Sequence, residues 1–399
     1  MRINSAAKLL IIALTSLNCF ALTDSDIRFA DYYGDRQAAV SYTFDDGLRD
    51  QVTIALPALE KNGFHATFFV IAGITKDTDA EAASVPDGEW AGISWNQWKQ
   101  IAGRGHEIGN HSWSHITLTN LDSAALEKEI NESFDKIAKK VGVAPFSFSY
   151  PYNGTNATVD AVVFQKHLAS RTQQSAWGGG QSTQDLNTIL DSHISNKQWL
   201  VAMIHGIESG YANFNSRTVI EGHFDYAKKQ EDKVWVAPFG SVARYVKMRD
   251  SSSIEVVSLS DNSVSLKVQS PLLPAFYSQM LTVVIPVANA VKATAYNEVT
   301  DQTYNVVVKP DRILVDVLPD DNAVIVEWGE HVSSVRKKSV ELSLVQYRQA
   351  ASQPVYFDLR GRAFTVLSSD RDCIRYPFIE FGNASGFKLI NPGAQFRSD

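Results

Sequence analysis

Two cysteines in 399 residues are too few for a disulfide framework. One of them, Cys19, falls in an apolar leader, which leaves Cys373 alone in the remainder, where it reads as a small apolar core residue. Stability must then come from core packing or a bound metal, not from covalent cross-links. Basic charge is also short: 37 Lys and Arg stand against 44 Asp and Glu, a formal net charge of −7. That balance lacks the basic face of a nucleic-acid binder. After the leader, no apolar run is long enough to suggest a membrane span. Internal repeats and long low-complexity stretches are missing too. What is present is an ordinary globular composition with material for two or three domains.

The leader has the parts of an export signal. Arg2 and Lys8 are its positive residues, Leu9 to Leu17 its short apolar run, and Cys19-Phe20-Ala21 offers small residues for a cut after Ala21. Residues 1–21 are therefore expected to be a signal peptide, and the mature protein to be secreted or periplasmic.

From about residue 30 to 250, short apolar runs alternate with amphipathic stretches. Phe64–Ile71 and Leu200–His205 read as strands. Trp95–Ala102 reads as a helix stopped by Gly103 and Gly105, and Leu121–Lys140 as a longer helix with Leu126, Ile130, Phe134 and Ile137 on one face. Such alternation predicts an α/β fold with a parallel sheet. Past residue 250 the period shortens to two: Val264-Leu266-Val268, Ile313-Val315-Val317 and Val324-Val326-Trp328 alternate with polar residues. A small antiparallel β-sandwich, immunoglobulin-like, is expected over 251–335, a linker at Arg336-Lys337-Lys338, and a β-rich C-terminal extension over 340–399.

One short stretch carries chemistry. Thr43-Phe44-Asp45-Asp46-Gly47 puts two carboxylates where a strand ends. Like charges side by side raise each other's pKa, and a divalent cation removes that cost. His111 and His115, at i and i+4, would face one way on a helical turn and converge on the same ion. Two His and one carboxylate are a recurrent catalytic ligand set with open positions. Taken singly, an Asp-Asp-Gly is a turn and a His-x-x-x-His a surface coincidence.

These motifs resemble the NodB-homology polysaccharide deacetylases, carbohydrate esterase family 4. Thr43–Gly47 is similar to that family's first motif, Gly105–His115 to its second, Ser149–Gly154 to its third and Leu200–His205 to its fifth. The resemblance implies a distorted (β/α) barrel over 30–250 and a metal-dependent deacetylase. Asp46, His111 and His115 would hold the metal, usually Zn2+, and Asp45 would be the general base, although the two Asp roles remain exchangeable on sequence. The Tyr152 N–H would donate to the oxyanion, His205 would be the acid, and Pro151, Tyr152 and Trp177 would line the substrate. The chain departs from the pattern twice. Ser149 stands where the third motif has an Arg, and Arg171 either reaches Asp45 in its place or is a surface residue. The fourth motif has no clear Asp, with Asp185 and Asp191 as weak candidates.

The expected partner is an acetylated polysaccharide or oligosaccharide. N-acetylglucosamine polymers such as chitin, chito-oligosaccharide, peptidoglycan or an exopolysaccharide are favoured. Acetyl xylan, cleaved at oxygen, is the alternative, and an inactive carbohydrate-binding protein the reading of another class.

Overall fold

The computed structural model describes residues 22–329, apart from 301 and 321, and four later strands, Tyr356–Asp358, Ala363–Phe364, Phe378–Gly382 and Gly386–Ile390. The expected signal peptide, Cys19, Cys373 and the Arg336–Lys338 linker lie outside the described residues. Of the expected extension, only those four strands are described; they pair antiparallel in one sheet.

Strand β1 (Arg28–Phe29) is followed by eight strands that share one parallel sheet. These are β2 (Ala38–Asp45), β3 (Thr67–Val70), β4 (Glu107–Asn110), β5 (Ser147–Ser149), β6 (Ala169–Arg171), β7 (Ser175–Trp177), β8 (Trp199–Ile204) and β9 (Val234–Val236). Their order is β6-β5-β4-β3-β2-β8-β7, with β9 also on β2. The two edge strands are consecutive in the chain, with only residues 172–174 between them. Four peptide steps reach at most ~14 Å. The sheet must therefore curl until its edges nearly meet, which makes it the distorted (β/α) barrel expected from the sequence.

Every residue of β2 is buried, so both faces of the strand are covered. Val40, Tyr42 and Phe44 join the main core with Phe68, Trp98, Leu186, Leu190 and Phe224 from neighbouring elements. The intervening Ser41, Thr43 and Asp45 belong to the other face, where Thr43 Oγ1 donates to Ala202 O and Trp199 Nε1 donates to Ser41 Oγ. Helix Trp95–Gly103 opens with a Ser94–Gln97 capping box and ends near Gly105, at φ +93°. The expected helix over 121–140 is three abutting helical segments, Ser123–Leu126, Glu127–Glu132 and Ser133–Val141.

The later strands are antiparallel: β10 (Ser253–Ser260), β11 (Ser263–Gln269), β12 (Leu281–Ile285), β13 (Ala293–Asn297), β14 (Val306–Lys309), β15 (Arg312–Val317) and β16 (Val324–Trp328). They make two four-stranded sheets, β1-β12-β15-β14 and β10-β11-β16-β13. The alternating residues Val264, Leu266, Val268, Ile313, Val315, Val317, Val324, Val326 and Trp328 all enter one core between them. Strand β1 was not apparent in the sequence, since two residues carry no period. It pairs with β12, so a strand that precedes the barrel completes a sheet that follows it. Helix Phe239–Ser251 joins the two assemblies, placing Val242 against Tyr32 and Ala39 while Tyr245 and Met248 enter the sandwich core.

Candidate metal centre and its surroundings

The carboxylate doublet sits where β2 gives way to a left-handed turn, with φ +73° at Asp46 and +70° at Gly47. Asp is one of the few side chains that accept this region readily, and the turn sends the two carboxylates to different partners. Asp45, 1 % exposed, is held by the guanidinium of Arg171 at the end of β6. Arg171 Nη1 donates to Asp45 Oδ1 at 2.8 Å and Nη2 donates to Oδ2. The same guanidinium donates to Thr43 Oγ1 at 2.7 Å and Ser149 Oγ at 2.8 Å, and lies over the Phe69 ring. The structure thus brings Arg171 to Asp45, and the small side chain of Ser149 leaves room for it. Burial pushes the Asp45 carboxyl up, but Arg171 foremost, then His111, outweighs it and holds the pKa at about 2.

Asp46 faces the histidines. Its Oδ1 lies 3.5 Å from Nε2 of both His111 and His115, and its Oδ2 lies 4.0 Å from His205 Nε2. One ligand atom from each of Asp46, His111 and His115 fits within a 4.8 Å span. Buried Asp46 Oδ1 has no hydrogen-bond partner among the described residues. Burial, and then Asp45, pushes the Asp46 pKa up to about 7. Burial pulls His111 down to about 3 and lowers His115, so both imidazoles offer lone pairs. His111 Nδ1 donates to Ser149 O at 2.8 Å, which aims Nε2 at Asp46. An orphaned carboxylate oxygen and two neutral imidazoles form a donor set that fits a divalent cation.

The expected helical turn under His111 and His115 is not there. β4 ends at Asn110, and the two histidines lie on a loop with φ +69° at Ser112 and +56° at His115. Local hydrogen bonds from side chains outcompete the helix: Asn110 Oδ1 accepts from Ser112 N–H and Ser112 Oγ from His115 N–H, both at 2.9 Å. Convergence comes from this folded loop rather than from helical pitch.

His205 follows β8, beside β2, and burial lowers its pKa against the opposing pull of Asp45. Gln51 Nε2 donates to both Asp45 O and His205 O, tying the two strand ends together. Asp50 Oδ2 accepts from the N–H groups of Ile207, Glu208 and Ser209 at 2.8–3.0 Å. Asp185 instead caps helix Thr183–Ser195 through Ser182, and Asp191 accepts from Tyr226 Oη.

Tyr152 follows Pro151 in a tight turn at φ +56°. Its ring is 65 % exposed and stands 4.7 Å from that of His115. Pro151 is buried beneath the turn. Trp90 is 39 % exposed, also 4.7 Å from His115, and Tyr211 is 72 % exposed, 5.1 Å from His205. Three exposed aromatic rings on separate loops therefore border the histidines. Trp177 does not join them, contrary to the sequence expectation. It is 2 % exposed, edge-on to His223 at 4.8 Å and near Tyr42, so its ring packs the core and offers no face to a ligand. His106, His167 and His223 are structural: each bonds a backbone group or a buried side chain.

A family model described as polysaccharide deacetylase matches residues 33–169. This part of the chain belongs to that family. The segment carries the Asp45-Asp46 doublet, the His111–His115 loop and Tyr152. Among curated proteins, the chain is similar to the peptidoglycan-N-acetylmuramic acid deacetylase PdaC of Bacillus subtilis (strain 168). The two are 34 % identical over 121 residues, 30 % of this chain and 22 % of that protein. A chitooligosaccharide deacetylase of Rhizobium leguminosarum bv. trifolii is 31 % identical over 136 residues, 34 % of this chain and 55 % of that one. A gellan lyase of Bacillus sp. matches more of the chain, 349 residues or 74 %, at 23 % identity over 13 % of its own length. The chain thus spans about half or less of each of these relatives.

Proposed function

We propose that this protein is an exported, metal-dependent deacetylase of an acetylated polysaccharide or oligosaccharide. The observation that best supports the reading is the carboxylate division of labour. Asp45 is kept ionised by Arg171, while Asp46 has a buried Oδ1 with no hydrogen-bond partner among the described residues and faces two neutral imidazoles.

Asp46, His111 and His115 would hold the ion, most simply zinc, which when bound supplies Lewis acidity to an acetyl carbonyl and to water. Asp45 takes the proton of the attacking water, and Arg171 fixes its two oxygens in the required orientation. The Tyr152 N–H donates to the carbonyl oxygen as charge builds there. His205, protonated, gives its proton to the departing nitrogen or oxygen; burial, opposed by Asp45, makes that imidazolium a readier proton donor than a free one. Trp90, Tyr152 and Tyr211 offer flat faces for the sugar rings on either side of the acetyl group.

An amide substrate, an N-acetylated aminosugar chain, is favoured because the names of two relatives state such chemistry. The test is acetate release by the zinc-loaded full chain, with N-acetylated chito-oligosaccharide and acetylated xylan compared side by side and Asp46→Ala as the blank. Release from the chito-oligosaccharide alone supports the amide reading, and release from xylan alone replaces it with the ester one. Zinc binding without release from either points to a carbohydrate-binding role.

A further inference from the structure

We infer that Glu129 is a positioning residue that holds the His111–His115 loop in its ion-binding shape; the inference rests on the metal reading above. Glu129 is an acidic residue on the apolar side of its helix, beside Leu126 and Ile130, and is only 4 % exposed. Its Oε2 accepts from the N–H groups of Trp113 at 3.1 Å and Ser114 at 2.9 Å, and its Oε1 accepts from Ser114 Oγ at 2.5 Å. Trp113 and Ser114 lie between the two histidines. One buried carboxylate therefore binds the middle of the loop whose ends carry two of the three candidate ligands.

The loop needs such a hold. Two of its non-glycine residues, Ser112 and His115, sit in the left-handed region, which side chains of this kind adopt only when their surroundings impose it. On its other side the loop is held by neutral bonds: Ala72 N–H donates to Ser112 O at 2.9 Å and Gly73 N–H to Trp113 O at 2.7 Å. The approach at Gly73 is so close that a Cβ there would stand 2.3 Å from Trp113 O. Glu129 supplies the charge-assisted part of the clamp, and a carboxylate has the acceptor sites for all three donors. Without it, the N–H groups of Trp113 and Ser114 lose their acceptor, the loop relaxes toward ordinary backbone angles, and His115 turns away from Asp46.

The experiment compares wild type, Glu129→Ala, Glu129→Gln and Ser114→Ala as full chains stripped with a chelator. Each is titrated with Zn2+ by calorimetry and with Co2+ by visible absorption, and the metal-free Tm is recorded. Leu190→Ala, on the core face of helix Thr183–Ser195, serves as a variant that loses stability elsewhere. Glu129→Ala is expected to weaken Zn2+ binding by about 10- to 100-fold, the range for groups that orient metal ligands, and to alter the Co2+ spectrum. Glu129→Gln, which keeps an acceptor for the two N–H groups, should recover part of the loss, and Ser114→Ala should lose only a few-fold. Leu190→Ala should lower the Tm and leave affinity unchanged. Zn2+ affinity within twofold of wild type in Glu129→Ala overturns the inference, whatever the Tm. If Glu129→Ala does not fold, the same limit applied to both Glu129→Gln and Ser114→Ala decides. Wild type that binds no Zn2+ fails the metal reading itself, a separate outcome.

Discussion

Removing the Arg171 guanidinium with Arg171→Met should expose how much of the site depends on one buried ion pair. Asp45 and Arg171 are 1 % and 2 % exposed and joined in two places, one of them 2.8 Å long. At that distance an effective dielectric near 20 gives a gross attraction of about 6 kcal/mol, from which the desolvation of both groups must be subtracted. The pair's net worth is thus small, but breaking it is not, because Asp45 stays buried beside Asp46 with its counter-charge gone. Loss of one partner of such a pair costs about 3–5 kcal/mol. The Arg171→Met/Asp45→Asn double variant removes both charges and should recover at least half of that. Denaturant unfolding of the metal-free wild type, the two single variants and the double variant yields a coupling energy, expected at about 2 kcal/mol or more. In parallel, Arg171→Met should lose acetate release, and Arg171→Lys should restore little of it, since one ammonium cannot reproduce the two-pronged contact. A coupling energy under about 0.5 kcal/mol would refute the reasoning: Arg171 would then be a packing residue whose charge the site does not need.

Three further outcomes are expected. Asp46→Ala should abolish the rise in Tm that Zn2+ gives the wild type, while raising the metal-free Tm because it deletes a buried carboxyl whose Oδ1 has no hydrogen-bond partner among the described residues; an unchanged Zn2+ response counts against the ligand set. Asp50→Ala frees three backbone N–H groups behind His205 and should lower turnover about tenfold or more at unaltered Zn2+ affinity, because that loop carries none of Asp46, His111 and His115; equal losses in both quantities contradict it. His167 and His223 are fully buried, and burial pulls each to about 3 from an ordinary 6.5. Their folded-state pKa values are depressed, so the stability they contribute is complete above pH 6.5 and is lost as pH falls from there toward 3, by up to ~1.4 kcal/mol per pH unit for each. The slope of unfolding free energy between pH 6 and 5 should fall by about that amount in His167→Gln.

Short-range chemistry was readable from sequence because adjacency alone expresses it. The Asp45-Asp46 doublet stands out through mutual repulsion, and the strands through their periods. Longer-range pairing was not. The residues around Arg171 left it as either Asp45's partner or a surface residue; the missing motif Arg at Ser149 was the only pointer, and the curled sheet decides for Asp45, 126 positions away. The His111–His115 spacing suggested a helix because i, i+4 is helical by default; Asn110 and Ser112 side chains impose a loop that reaches the same convergence by another route. A charge on the apolar stripe of a helix was the available clue to Glu129. Trp177 entered the substrate-lining set through the resemblance alone, and its buried neighbours Tyr42 and His223 assign its ring to the core instead.

The pairing of Arg28–Phe29 with Val283–Val284 has a consequence for how this molecule can be taken apart or passed on. The barrel is an insertion within the sandwich, entered after the sandwich's first strand and left through a helix whose last turns supply Tyr245 and Met248 to that core. Cutting the chain once near residue 251 would strip the sandwich of an edge strand and leave two large side chains bare on the barrel. A recombination event that moved the barrel to another host would need two crossovers and a replacement strand. Each part has a core of its own, yet one strand and one helix cross between them, so neither is a clean excision.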